Sequence, residues 1–186
     1  MRGICKKAII EPVLPLSAQQ MEHFRDAVRA ASRRADVRDA VRNVYVALSD
    51  AIELRKPVCN TSGRCCRFDE FGHRLFVTTM EMGTFVQEIS GPDQCHDATE
   101  LVEVSSGTAG GAGCPFQING LCSVHTIRPF GCRIFFCDET ATQWQHEQYA
   151  RFHAELKRLH EELGIQYFYV EWREALRAIE GYNGAR

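Results

Sequence analysis

Apolar residues recur at helical spacing in five stretches of the chain. Met21, Phe24, Val28 and Ala31 fall three and four residues apart, which places them on one helix face. Ser17 stands just before them with Gln20 three residues on, a weak capping box. Val37, Val41, Val44, Leu48, Ile52 and Leu54 predict a second helix, with Asp36 as its expected cap. It should stop near Lys56, because Pro57 disfavours helical geometry in the residue before it. Two such helices in tandem predict an αα-hairpin that acts as a packing scaffold. Met82, Phe85, Val86 and Ile89 predict a third helix, capped by Thr78 or Thr79 and ended by Gly91-Pro92. A fourth covers 141 to 163, with Trp144, Tyr149, Phe152, Leu156, Leu159 and Leu163 apolar and Gly164 as its terminator. A last helix is expected from about 167 to 180, with Phe168, Trp172, Leu176 and Ile179 on one face.

Between the helices the pattern changes. Residues 74 to 78 read as a short strand. Asn119-Gly120 predicts a two-residue hairpin, because both residues tolerate positive φ. In a regular hairpin Ile118 faces Leu121 and Cys114 faces His125, so Cys114 and Cys122 point to opposite faces. Pro115 disturbs that regularity, and the alternative is a bent knuckle presenting both sulfurs. Residues 107 to 113 are glycine-rich but lack a following Gly-Lys-Ser/Thr, so they read as a loop and not as a phosphate cradle. The expected fold class is mainly α, with a small irregular α+β core and helical flanks around a cysteine-rich loop and hairpin region. Residues 1–56 form a leader and helical hairpin, 57–138 the core, and 139–186 C-terminal helices packing on it, in one compact unit.

Composition adds one outlier. The chain has 186 residues, 25% of them charged, and a formal net charge of −2, which gives no basic excess for nucleic-acid binding. A chain of this length buries roughly 70% of its unfolded surface and needs no cross-links to fold. Yet it carries nine cysteines. The apolar run Ala8-Ile9-Ile10 is stopped by Glu11 and Pro12, too short for a signal-peptide core. No apolar run is long enough to span a membrane. A cytoplasmic chain with an odd number of cysteines points to thiolate ligands or redox chemistry rather than to disulfides.

Thiolates bind soft or borderline metals. Cys59, Cys65 and Cys66 form one local group, Cys114 and Cys122 bracket the hairpin, and Cys132 follows Arg128-Pro129-Phe130-Gly131 at a turn. Cys137 is a further candidate. Cys5 and Cys95 are isolated and read as small apolar side chains. Arg64, Arg128 and Arg133, with Arg67, lie close to the cysteines in sequence, where guanidinium groups can offset thiolate charge; surface ion pairing is the alternative. His125 is the leading non-cysteine ligand candidate. His73 sits in a loop-like stretch and is a weaker one. His146, His153 and His160 recur every seven residues, about 10.5 Å apart per step, too far for one metal, and predict a partly exposed polar stripe.

The segments Cys59-x5-Cys65-Cys66, Cys114-Pro115-Phe116 and Cys122-Ser-Val-His-Thr-Ile-Arg-Pro-Phe-Gly-Cys132-Arg133 resemble the cysteine-cluster family described as zinc- or iron-chelating. That family's motifs are C-x2-C-x2-C-C, C-P-apolar, and C-x-apolar-[YH]-x-x-R-P-x-x-C-R. The resemblance covers residues 57 to 137. Ser62 stands where the second cysteine of the first motif is expected, and a serine hydroxyl is not counted as a donor.

Adjacent Cys65 and Cys66 suit a wide centre better than a single small ion, which favours a 4Fe-4S cluster over zinc. The expected function is a metal-binding protein holding an iron–sulfur cluster in a redox or accessory role. A structural zinc protein acting as an interaction module with a protein partner is the first alternative. A metal-dependent enzyme is the second, although no catalytic motif is present.

Overall fold

The computed structural model describes residues 16–90 and 113–180; Cys5, Cys95, the predicted Gly91-Pro92 helix stop and most of the glycine-rich loop lie outside them. Helix α1 runs from Ala18 to Ser32 and α2 from Ala35 to Arg55. The Ser17 capping box forms: Gln20 N–H donates to Ser17 Oγ at 3.2 Å, and Ser17 N–H donates to Gln20 Oε1 at 2.9 Å. Asp36 does not cap α2. The turn between the helices is so short that Arg34 takes the cap position, with Asp36 already inside the first turn and ion-paired to it. Arg34 also donates from Nη1 to the Leu163 carbonyl at 2.7 Å, tying this corner to a distant helix end. Helix α2 stops where Pro57 demands, with Lys56 left-handed at φ 51°. Leu54 faces solvent at 90% exposure, so it lies off the apolar face on which sequence spacing placed it.

A one-turn helix, α3, spans Phe68–Phe71, and strand β1 (Phe76–Thr78) leads directly into the long helix α4, Thr79–Ser90. Strands β2 (Gln117–Ile118) and β3 (Leu121–Cys122) form the predicted hairpin, with Ile118 opposite Leu121 and Gln117 opposite Cys122. A one-turn helix α5 spans Phe130–Arg133, and the long helix α6 spans Thr142–Glu162. Gly164, at φ 62°, follows it in the left-handed conformation expected of a terminator.

The last helix is shorter than its apolar pattern predicts. Residues Tyr169–Glu171 are a strand, β4, antiparallel to β1 with Val77 opposite Val170, and α7 starts only at Trp172. The cause is tertiary. Phe168 N–H donates to Thr79 Oγ1 at 3.0 Å, and Trp172 N–H donates to the Leu75 carbonyl at 2.8 Å. These partners are available only from the β1 segment, and they hold 168 to 172 extended.

Helix α1 packs chiefly on α4, and α2 packs on α4 and α6. One apolar cluster joins Phe24, Phe68, Val77, Phe85, Phe116 and Trp172, and the half-buried Cys114 and Cys132 pack against it. A second joins Val37, Leu48, Met80, Phe130, Phe152 and Leu156. His160 belongs to the buried interior and not to an exposed stripe: it is 1% exposed. Its Nε2 accepts from Met80 N–H and its Nδ1 faces the Ile165 carbonyl. That pairing assigns the proton to Nδ1, and burial lowers its pKa. His153 is half-buried beside Tyr167, and His146 is exposed. The molecule is mainly helical with two small antiparallel ladders, and among the described residues no helix is long and apolar enough to cross a membrane.

Buried Glu81 joins three of these elements. Its carboxylate accepts from Thr78 N–H and Oγ1–H at 3.1 Å each, from Tyr45 Oη–H at 2.9 Å, and from Phe130 N–H at 2.8 Å. Thr78 Oγ1 returns a bond from Glu81 N–H at 3.4 Å. Thr78 and Glu81 therefore form a capping box for α4, and the same carboxylate anchors the first residue of α5.

Candidate metal centre

The two cysteine stretches meet through their backbones. Gly63 takes φ 66° and opens a 3-10 turn over Arg64–Cys66. A Cβ at Gly63 would stand 2.1 Å from the Gly120 carbonyl oxygen, so the first stretch lies directly on the hairpin turn. Gln117 Nε2 bridges the Gly63 and Gly120 carbonyls at 3.0 and 3.1 Å. Cys114 N–H donates to the Cys66 carbonyl at 2.7 Å. Gly63→Ala is therefore expected to cost at least about 1–3 kcal/mol, from backbone strain at positive φ alone, with the collision added. A drop in the urea midpoint would show it, and an unchanged midpoint would contradict this packing.

The hairpin is not regular beyond its two paired rungs. Ser123 N–H still donates to the Phe116 carbonyl at 2.9 Å, in register with the ladder, but Gln117 N–H turns back to the Cys114 carbonyl at 3.1 Å, so the strand bends at Pro115 and Phe116. This bend is the knuckle alternative: it brings Cys114 and Cys122 to the same cavity. It also leaves His125 exposed and outside the cavity lining, in place of the position opposite Cys114 that a regular ribbon would give it.

That cavity measures about 20 Å³ and is lined by Cys65, Cys66, Cys114, Cys122 and Cys132. Phe68, Val124, Pro129 and Trp172 close it with apolar surface, and Arg128 is its one cation. Pro129 precedes α5, and Cys132 N–H donates to the Pro129 carbonyl at 3.0 Å, so the proline-led turn aims this cysteine inward. Trp172 Nε1–H donates to Cys114 Sγ at 3.4 Å.

Cys66 is the central sulfur. Its thiol interacts with those of Cys114, Cys122 and Cys65, and these interactions, the Cys114 one foremost, raise its pKa. The same interactions act oppositely on its neighbours. Cys65 is drawn down to about 6 by Cys66, with Arg128 assisting against burial, and Cys122 to about 7 by the same pair of groups. Cys114 is lowered by Cys66 and by Trp172. One S–H has one proton to donate, so Cys66 satisfies a single sulfur at a time. The others are thiolate-prone and crowded, a state that a cation in the cavity would relieve. Burial, followed by the nearby Cys114, pushes the thiol of half-buried Cys132 up.

Cys59 is exposed and Cys137 half-buried, and neither lines the cavity. Cys137 Sγ instead lies 3.8 Å from Ser62 Oγ, so the serine that replaces the motif cysteine touches a sulfur outside the cavity. Among the described residues, no group of three or more His, Cys, Asp or Glu side chains has the geometry of a formed metal site. The arrangement is a convergence of thiols and not a finished coordination sphere.

The arginines divide by position. Arg128 lines the cavity. Arg64 lies over the Phe71 ring, 4.2 Å from its centroid, and Arg67 pairs with Glu70. Arg133 donates to the Arg128 carbonyl at 2.8 Å and the Thr126 carbonyl at 2.6 Å, bracing the loop that presents Arg128. His73 lies outside the cavity lining; its Nε2 is 3.3 Å from the Cys65 carbonyl oxygen and its ring stacks on Phe135. Trp172 and Gln117 support the site without any local signal in sequence, because they act on residues 58 and 54 positions away; the Thr78-x-x-Glu81 pattern marks a helix cap, but not the bonds of Glu81 to Tyr45 and Phe130, 36 and 49 positions away.

No family model matches the chain, and comparisons with curated proteins and with solved structures return no match.

Proposed function

We propose that this protein holds a metal centre through the thiolates of Cys65, Cys66, Cys114, Cys122 and Cys132, in a structural or accessory role. The observation that carries the reading is the five cysteines, from stretches nearly seventy residues apart at their extremes, lining one cavity with a single guanidinium. Such a donor set suits zinc, copper(I) or iron–sulfur chemistry and no hard cation. The resemblance of 57 to 137 to the zinc- or iron-chelating cysteine-cluster family supports the same reading.

The cavity's size favours a single ion. A volume of about 20 Å³ accommodates roughly one water-sized sphere, the scale of one ion. Zinc bound by four of the five thiolates would close the loops of both cysteine stretches on one another. Iron–sulfur is the second reading, supported by adjacent Cys65 and Cys66 both facing the cavity. Free thiols at every described cysteine support residence in a reducing compartment such as the cytoplasm.

Elemental and sulfide analysis of anaerobically purified protein separates the two. One zinc per chain, without colour or sulfide, is the expected result. Equal iron and sulfide with a visible charge-transfer band would replace zinc by the cluster. A metal-free protein that takes up neither zinc nor iron would end the proposal.

A further inference from the structure

A second concavity, distinct from the cysteine cavity, measures about 580 Å³, within the size range of small-molecule sites. Its wall is aromatic. Phe76 on β1 and Tyr169 on β4 stack at 5.0 Å between centroids and 23° between planes, a diagonal cross-strand pair. Tyr149 on α6 faces them, and the Tyr149 and Tyr169 hydroxyls touch. Gly131 packs closely beneath this wall: a Cβ there would stand 3.3 Å from the Phe76 carbonyl oxygen and 4.0 Å from the Tyr149 ring.

The concavity has one lining side chain of fixed charge, the cation Arg74. Arg74 and His146 line it, both exposed, and no aspartate or glutamate does. Arg74 has no acidic partner among the described residues, unlike Arg67, Arg158 and Arg173, which are ion-paired. A flat apolar slot with an unpaired guanidinium at its rim suits a ligand with a planar apolar body and an anionic head. A guanidinium recognises a carboxylate through paired N–H donors.

We propose that this slot is a binding site for a small aryl carboxylate, whose ring packs on the aromatic wall formed by Phe76, Tyr149 and Tyr169 while its carboxylate meets Arg74. The proposal does not depend on which metal, if any, the cysteines hold. The slot does adjoin them in sequence: Gly131 immediately precedes Cys132, and Phe135 in its wall stacks on His73.

The probes are 1-naphthoate and its neutral counterpart 1-naphthamide, titrated into the full-length protein by calorimetry and by proton NMR of the aromatic side chains. Naphthoate is expected to bind about tenfold or more tightly than the amide, the usual effect of one charge-assisted pair, and to shift the Tyr149 and Tyr169 ring resonances. Arg74→Glu should remove that preference, and Arg74→Lys should restore most of it. Arg74 is exposed, so both variants should melt with the wild type, which makes their binding directly comparable. Absence of naphthoate binding at millimolar concentration, equal binding of acid and amide, or full naphthoate affinity in Arg74→Glu would each overturn the proposal.

Discussion

Cys66→Ser is expected to strip the protein of its metal and to loosen the region from 57 to 137. Cys66 is the thiol on which Cys65, Cys114 and Cys122 all act, so its loss takes away the donor that the other three share. Changes to groups that merely support a ligand cost roughly 10–100-fold in metal affinity; loss of the central thiolate should exceed that. A structural zinc contributes on the order of 10 kcal/mol to small metal-dependent folds. The larger apolar core here keeps α1, α2, α4 and α6 folded without it. The expected signature is therefore regional. Hydrogen exchange should accelerate across both cysteine stretches and remain slow in the Val37, Leu48 and Leu156 core. Cys59→Ser and Cys137→Ser, which alter sulfurs outside the cavity, should keep their metal. Full occupancy in Cys66→Ser, or loss in Cys59→Ser, would show that the cavity is not the metal site.

Glu81→Ala should be the most destabilising single change away from the cysteines. It removes an acceptor from Tyr45, Phe130 and both donors of Thr78, all buried. Leaving buried donors unsatisfied costs about 1–3 kcal/mol apiece, and the combined loss should reach about 3–5 kcal/mol after relaxation. Because Phe130 opens α5, the same change should displace Cys132 and weaken metal uptake. Glu81→Gln keeps an acceptor and the side-chain volume, so its metal uptake should stay near wild type.

The pair also gives a pH test. Burial raises the Glu81 pKa above its ordinary 4.5, against the pull of its hydrogen bonds to Phe130, Thr78 and Tyr45. Just above 4.5 the folded carboxyl thus binds more protons than the unfolded one, and stability falls as pH rises through that window. Glu81→Gln has no such proton and should lose this component. Urea midpoints measured from pH 4 to 7 with both proteins metal-free would decide it; identical slopes would show that the carboxyl does not titrate differently on folding.

Much of this molecule was legible locally. The α1 cap, the α2 stop at Pro57, the Asn119-Gly120 turn and the glycine end of α6 each depend on residues within a few positions of one another. Their causes are steric or single hydrogen bonds, so reading the chain in short windows recovers them. Asp36 was misplaced by such a window, because Ser-like cap chemistry says nothing about a two-residue turn whose length is set by packing on α4. His160 was misplaced for a related reason: its heptad companions are exposed or half-buried, and only the Met80 and Ile165 backbone groups explain why it is inside.

The cysteine site divides along the same line. Chemical type and spacing mark Cys59, Cys65, Cys66, Cys114, Cys122, Cys132 and Cys137 as candidates, and the Arg-Pro-Phe-Gly-Cys stretch places Cys132 at a turn. Spacing alone could not rank them. The knuckle at Cys114 gathers Cys65, Cys66, Cys114, Cys122 and Cys132 and leaves Cys59, Cys137 and His125 aside, through backbone bonds between segments almost fifty residues apart. By itself, the sequence determined that this chain is a mainly helical scaffold carrying thiols fit for a soft metal, because side-chain chemistry and short-range periodicity are local properties. Which five sulfurs share a cavity, how small that cavity is, and that Arg74 joins an aromatic slot lined from β1, β4 and α6 were decided only in the tertiary structure, because each depends on contacts between elements far apart along the chain.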